Sequence, residues 1–462
     1  MTAMANFTAP VSGSSGGRQT GGIFALIGSV LPLAVLVYSF LLLAPEARFT
    51  VMGITLPPYR LVLIPLFLRV MLSYVSGRIR PGAADLLVLI ASISTLISFM
   101  HHYGAANGAV RGFGTIIDSA GAFYVARSCI RTPNDLRIFL IMIAPGMLFS
   151  GALMALESAS HRLIVRPFFE RYFGSVAFYT AGQEVGSVNL RYDYRIFGLL
   201  RAYGVFSHPI LGGIILSSSL LLFYYSSIRG IPKFLGLVAA GCGFFALSSA
   251  TIISLGISFV VIFSNIIVQK IRSLSWWLVT LALFLMGFFV EVASKGGLIN
   301  VLIRQTLDPQ TGYFRKLIWE YGLISVQKHP LFGIGYEEYE RPPSMQSSSV
   351  DAHFLALGIR DGVVPPIAIL AAMIFIQLAL GRAIGRISGV DRKLLFGVNG
   401  AMVGLFIASM TVTFFSEGLI WFMAMLGIGA SLGQLAPRGV HGPVSAPPGS
   451  DFRTAVAARG GA

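Results

Sequence analysis

Tyr313–Gly362, YFRKLIWEYGLISVQKHPLFGIGYEEYERPPSMQSSSVDAHFLALGIRDG, is the longest run in this chain that a bilayer will not accept. Within it stand Arg315, Lys316, Glu320, Lys328, His329, the run Glu337-Glu338-Tyr339-Glu340, Asp351 and His353. Charged side chains are costly in hydrocarbon, so the stretch belongs in water or in a polar cleft. Its surroundings have the opposite character. Of 462 residues, 55% are hydrophobic and only 11% charged, a composition that excludes a string of soluble domains and describes a polytopic membrane protein. Fifty-two glycines suit closely packed spanning helices, and 35 phenylalanines suit their lipid-facing sides.

Outward from this stretch, apolar segments near the required ~20 residues recur along the chain. They are Gly21–Ala44, Tyr59–Tyr74, Asp85–Met100, Phe113–Ala126, Leu136–Leu156, Val205–Tyr225, Phe234–Leu247, Ile252–Val268, Ser275–Val292, Val363–Leu380, Leu394–Phe414 and Glu417–Leu435. The expectation is an all-α fold of about twelve transmembrane helices, with one large loop between the ninth and tenth. Phe113–Ala126 is the weakest span, because Asp118 interrupts it. The first apolar run is too long for the core of a cleaved leader.

Basic residues set the orientation. With a cytoplasmic amino terminus, short inside loops carry Arg78 and Arg80; Arg127, Arg131 and Arg137; Arg229 and Lys233; Lys270 and Arg272; and Arg382, Arg386, Arg392 and Lys393. Short outside loops are poorer, with Arg48 and Arg60 flanking one, Arg111 in another and none in Ser248–Thr251. Residues 1–20 then read as a disordered cytoplasmic amino terminus and 436–462 as a disordered cytoplasmic tail. Between them, 21–435 forms a single transmembrane catalytic domain, with outer segments at about 157–204 and 295–352. The net charge of +15 is spread between spans and not gathered on one polar face, which argues against nucleic acid. Cytoplasmic retention and an anionic substrate on the far side account for it. Cys129 and Cys242 lie in apolar surroundings and suggest neither a disulfide framework nor a metal set.

Two regions hold residues suited to chemistry. RYDYRIFGLLRAYGVFSHPILGG carries Arg191, Arg195 and Arg201 just before a span, against the positive-inside trend. Guanidinium is planar, permanently charged and donates in pairs, which suits phosphate; the competing explanation is interfacial snorkelling. In the second region Arg315 opens an expected amphipathic helix, Tyr313–Lys328, with Leu317, Ile318, Tyr321 and Ile324 on one side. His329-Pro330 ends that helix, and Gly333 and Gly335 permit a tight turn; a lone GxG does not establish nucleotide binding. His353 is the leading general-base candidate, since imidazole takes a proton near neutral pH. Asp351 and Glu338 are supporting candidates, and a metal site with Glu337, Glu338 or Glu340 ranks well below because no ligand spacing is recognisable. His208 and His329 precede prolines and read as structural. Arg69, inside the second span, calls for a partner such as Glu291 or a polar cavity; otherwise it lies near the interface.

RAYGVFSHPILGG, GYFRKLIWEYGLISVQKHPLFGIGYEEY and the histidine of VDAHFLALGIRDGVV together resemble the O-antigen ligase and polymerase superfamily, including exopolysaccharide repeat-unit polymerases. The resemblance implies metal-independent glycosyl transfer, without a cofactor, at the periplasmic face of a bacterial inner membrane. The donor would be a polyprenyl-diphosphate-linked glycan and the acceptor a sugar hydroxyl. Membrane lipids, flippases and chain-length regulator proteins are the expected partners. By this resemblance Arg201 and Arg315 hold the diphosphate with help from Arg195, and His353 activates the acceptor. Phe354 stands where relatives often carry asparagine, and Ser249-Ala250-Thr251 lacks an arginine common after the seventh span. Polymerase is the first reading and ligase, onto lipid A core or protein, the second. A polysaccharide or lipid transporter is the third: no repeat is visible, the long loop is not central, and mid-span acids are few beyond Asp118 and Glu291.

Overall fold

A computed structural model describes residues 18–435, apart from 52–53, 181–182, 189, 346 and the stretch 272–308, of which only 285 and 288 are described. The first half holds α1 Arg18–Leu41, α2 Pro58–Val75, α3 Ala83–Tyr103, α4 Ala105–Ile116, α5 Ala122–Cys129, α6 Pro133–Ser160, α7 Val165–Phe173, α8 Pro209–Tyr225, α9 Ile231–Cys242 and α10 Ser249–Lys270. After the gap come α11 Pro309–Lys328, α12 His353–Asp361, α13 Val364–Arg386, α14 Gly389–Ser409 and α15 Ser416–Leu432. Every expected span coincides with a helix except Ser275–Val292, which falls almost wholly outside the described residues. Two small antiparallel hairpins, Phe49–Val51 with Ile54–Leu56 and Ala177–Thr180 with Gln183–Ser187, add strands that the sequence did not lead us to expect.

The helices α2, α3, α6, α10 and α13 are each long and apolar enough to cross a membrane. Gly28–Leu41, Pro209–Tyr225, Ile231–Ala246 and Ser416–Leu432 are apolar but shorter, so a count of about twelve spans depends on including such helices. The packing is that of a protein in lipid. α8 and α15 are apolar on all sides and buried almost end to end, joined where Trp421 Nε1 donates to Ser218 Oγ at 2.9 Å. Peripheral helices turn large apolar side chains outward instead: Ile93 and Ile97 on α3, Phe259 and Phe263 on α10, Phe375 and Leu378 on α13. This is a multi-pass helical membrane protein.

Phe113–Ala126 is not broken by its acid. α4 runs into a single π turn, Ile117–Gly121, and continues as α5, and Asp118 stands in that turn. Such a turn adds a residue without ending the helix. Asp118 survives there because Arg60 on α2 meets it with two hydrogen bonds, Nε to Oδ1 at 2.8 Å and Nη2 to Oδ2 at 2.7 Å. Arg127 and Arg137, expected in inside loops, are also committed to carboxylates: Arg127 to buried Asp85 at 2.5 Å and Arg137 to Asp391 at 2.6 Å.

Candidate active site

Glu157, near the end of α6, organises the segment that leads to α8. Its carboxylate is fully buried and accepts four backbone hydrogen bonds. Ile164 N and Val165 N reach Oε1 at 2.9 and 3.0 Å, while Tyr203 N and Gly204 N reach Oε2 at 3.0 and 2.8 Å. A buried carboxylate is tolerated when its lone pairs are filled in this way. Beside it, Arg166 of α7 pairs with buried Glu46 and donates to Ser207 O at 3.0 Å. Ser207 in turn donates both its N–H and its hydroxyl to Glu417 at 2.7 Å. These buried acids tie the segment after α1, with α6, α7 and α15, to the few residues that follow Arg201.

Arg195 and Arg201 flank a tight turn. Tyr194 bridges Leu200, and the tip is the 3-10 turn Ile196–Gly198, with Phe197 in a left-handed conformation. Both guanidiniums face Asp193: Arg195 Nε donates to Oδ2 at 2.8 Å, and Arg201 Nη1 lies 3.7 Å from the same oxygen. Behind them, Arg201 donates to Ala246 O at 3.2 Å and Arg195 to Leu247 O at 3.4 Å. The backbone after α9 thus holds the two cations in place.

Arg315 joins this group from α11. The helix begins earlier than expected, at Pro309, and its packed face carries Ile318, Gly322 and Ser325, while Ile324 is exposed. Gly322 allows α12 to come close, for a Cβ there would lie 2.8 Å from a Leu355 methyl. The turn after α11 closes on α12: Ile334 N donates to Ile359 O at 2.8 Å, Gly335 N to Arg360 O at 3.0 Å and Val363 N to Pro330 O at 2.8 Å. The GIG motif is therefore a clasp on carbonyls that a helix end leaves open, with Gly333 and Gly335 at positive φ. With α11 and α12 held together, Arg315 comes near Asp351. Burial raises the Asp351 carboxyl above the usual carboxylate range, and Arg315 and Arg201 both oppose that rise. Burial, then the adjacent Arg195, lower the Arg201 guanidinium to about 10, and Arg315 contributes in the same direction. Three guanidiniums share two carboxylates here, so positive charge is in surplus.

His353, two residues beyond Asp351, begins α12 and lines a neighbouring cavity of about 260 Å³. Arg60, Asp118, Arg360, Tyr336 and Ser416 also line it, whereas Arg195, Arg201 and Arg315 do not. The ring lies among Phe354, Phe414 and Phe422, and its Nδ1 is buried without a hydrogen-bond partner. Burial, with Arg360 adding to it, lowers the imidazole to about 3, so it is neutral at pH 7. Phe354, the next residue, packs against the ring.

The other candidates lie apart. Arg69 is exposed and lines a cleft with Ser73, Arg78 and Arg131, the last of these just before α6. α6 rises ~1.5 Å per residue, which puts this cleft roughly 36 Å along the bundle from Glu157. Its proposed partner Glu291 is outside the described residues. Glu338 pairs with Arg341 at 2.8 Å on the exposed loop, Glu340 pairs with Lys328, and His329 is exposed. His208 caps α8, its Nδ1 accepting from Ile210 N at 3.3 Å, and it is lowered to about 3 by burial and by Arg201, Arg166, Arg191 and Arg195. Sequence reasoning missed Glu157, Asp193, Arg360 and the Arg60–Asp118 pair. An arginine and an aspartate placed within two apolar spans was the available signal for that pair.

In this apolar helical bundle three arginines thus gather near a buried histidine. Residues 234–364, which include Arg315 and His353, match the family model described as O-antigen ligase. No curated protein matches the chain significantly.

Proposed function

We propose that the protein is a membrane glycosyltransferase that polymerises polyprenyl-diphosphate-linked repeat units into O-antigen or exopolysaccharide at the periplasmic face of the inner membrane. The observation that carries this reading is the meeting of Arg195, Arg201 and Arg315 around Asp193 and Asp351, two residues from His353. Fixed guanidiniums suit a leaving diphosphate, whose charge grows in the transition state. The acceptor hydroxyl oxygen attacks the anomeric carbon, the bond from that carbon to the phosphate oxygen breaks, and its electron pair leaves with the diphosphate. The hydroxyl proton passes to His353. A neutral imidazole is the form a base requires, and an anionic donor bound nearby raises its proton affinity.

The family description names a ligase, and this favours a second reading in which a finished glycan moves to lipid A core with the same donor chemistry. Deleting the gene and sizing the glycan left on the carrier lipid separates the two. Single repeats accumulate if the protein is a polymerase, long chains if it is a ligase, and an unaltered glycan profile removes both.

A further inference from the structure

The cavity beside His353 differs from the arginine cluster in its charge. We infer that it receives the terminal sugar of the acceptor, and that Arg60 and Arg360, each neutralised by its own carboxylate, read the hydroxyls of an uncharged pyranose there. This rests on the glycosyl-transfer reading and adds a substrate class and two specificity residues to it. A base must reach the attacking hydroxyl, and His353 lines this cavity with an unpartnered ring nitrogen. The three arginines assigned to the diphosphate do not line it, so the leaving group rests elsewhere.

Charge narrows the ligand. Arg60 closes on Asp118, and Arg360 closes on Asp361 with bonds of 3.0 and 2.9 Å, so neither cation is left over for a carboxylate sugar. Yet the arginines are the members presented. Each side chain is 26% exposed, against 8% for Asp118 and 1% for Asp361. Each pair uses the Nε and Nη2 edge, which leaves Nη1 to donate. Tyr59, Thr115 and Tyr336 add hydroxyls, and Phe414 and Phe415 add aromatic faces, a mixed lining suited to a sugar ring. At about 260 Å³ the space lies below the ~300–1,000 Å³ of drug-sized sites, which fits one ring better than an oligosaccharide.

The test uses the full chain in detergent with the host's own lipid-linked repeat unit as donor. The acceptors are methyl hexopyranosides and the matching methyl hexuronides. Arg60→Lys and Arg360→Lys keep charge opposite each carboxylate but lose the fork; each should raise the hexopyranoside KM about tenfold, with the donor KM within about twofold. Tyr336→Phe, which leaves both ion pairs intact, should shift the acceptor KM in the same direction if the lysine variants fail to fold. Hexuronides should be about tenfold poorer acceptors for the unmodified protein. An acceptor KM unmoved in all folded variants, or hexuronides used as well as hexopyranosides, overturns the inference and leaves glycosyl transfer standing. No transfer to any acceptor by the unmodified protein, together with a normal glycan in the deletion strain, removes the underlying reading instead.

Discussion

Arg60 and Asp118 lie 58 positions apart in the chain and meet through both carboxylate oxygens, across α2 and a π turn. Asp118 is buried, so either residue alone would be costly. Together they are a polar cross-brace in an apolar bundle and part of the wall that faces His353. Asp118→Ala strands the Arg60 guanidinium and should cost about 3 kcal/mol or more. The check is thermal unfolding in detergent; a midpoint within error of the parent's would mean the brace carries no load.

Replacing Glu157 by Gln keeps the shape of the side chain but turns one acceptor into a donor. Two of the four backbone N–H groups then face an amide that cannot accept from them. The expected loss is about 2–4 kcal/mol, and transfer should fall although no arginine has been altered. A Glu157→Gln protein with parental stability and activity would show that this carboxylate does not hold the Arg195–Arg201 turn.

Arg315→Ala should weaken use of the lipid-linked donor more than Arg315→Lys, because lysine keeps the charge and loses only the paired donors. Donor KM across the two variants is the measurement. Equal values would argue against a charge contact with phosphate at this position.

His353→Ala should leave the protein inserted and folded while transfer stops; normal polysaccharide in that strain would remove the assigned base. The same residue sets a pH dependence of stability. Its value in the folded chain, about 3, lies below the ordinary 6.5. Between those values the unfolded chain binds the proton more readily, so stability is full above about 6.5 and is lost as pH falls toward 3. The slope from one such group is at most about 1.4 kcal/mol per pH unit, and His208 acts with the same sign. His353→Phe should flatten the decline between pH 6 and 4, where a pH step is about one unit of that slope. An acid limb that does not change would show that His353 is already hydrated.

Much of the bundle was legible because apolar runs of spanning length have few alternatives to helix in lipid. The clustering of Arg195 with Arg201 was also within reach, since both lie in one short segment. What the chain did not announce was pairing at long range. Asp118 reads as an interruption until Arg60 stands beside it, and Glu157 reads as the polar end of a span until amides from two later segments surround it. Ile324 was assigned to the packed face of α11 by its apolar character, but Gly322 brings α12 against a different stripe. Close approach is set by the missing side chain, which a hydrophobic pattern does not register.

Glu157 also constrains how this chain matures. Two of the four hydrogen-bond donors to this carboxylate, at the end of a 28-residue helix, are Tyr203 and Gly204, which follow it by 46 and 47 residues and so reach it later in synthesis than its own helix. Until they arrive, the ionised group has reason to hold the tip of α6 in water. Seating of that helix and docking of the arginine-bearing turn thus become a single late event, and a chain truncated before Tyr203 should leave α6 riding high in the bilayer.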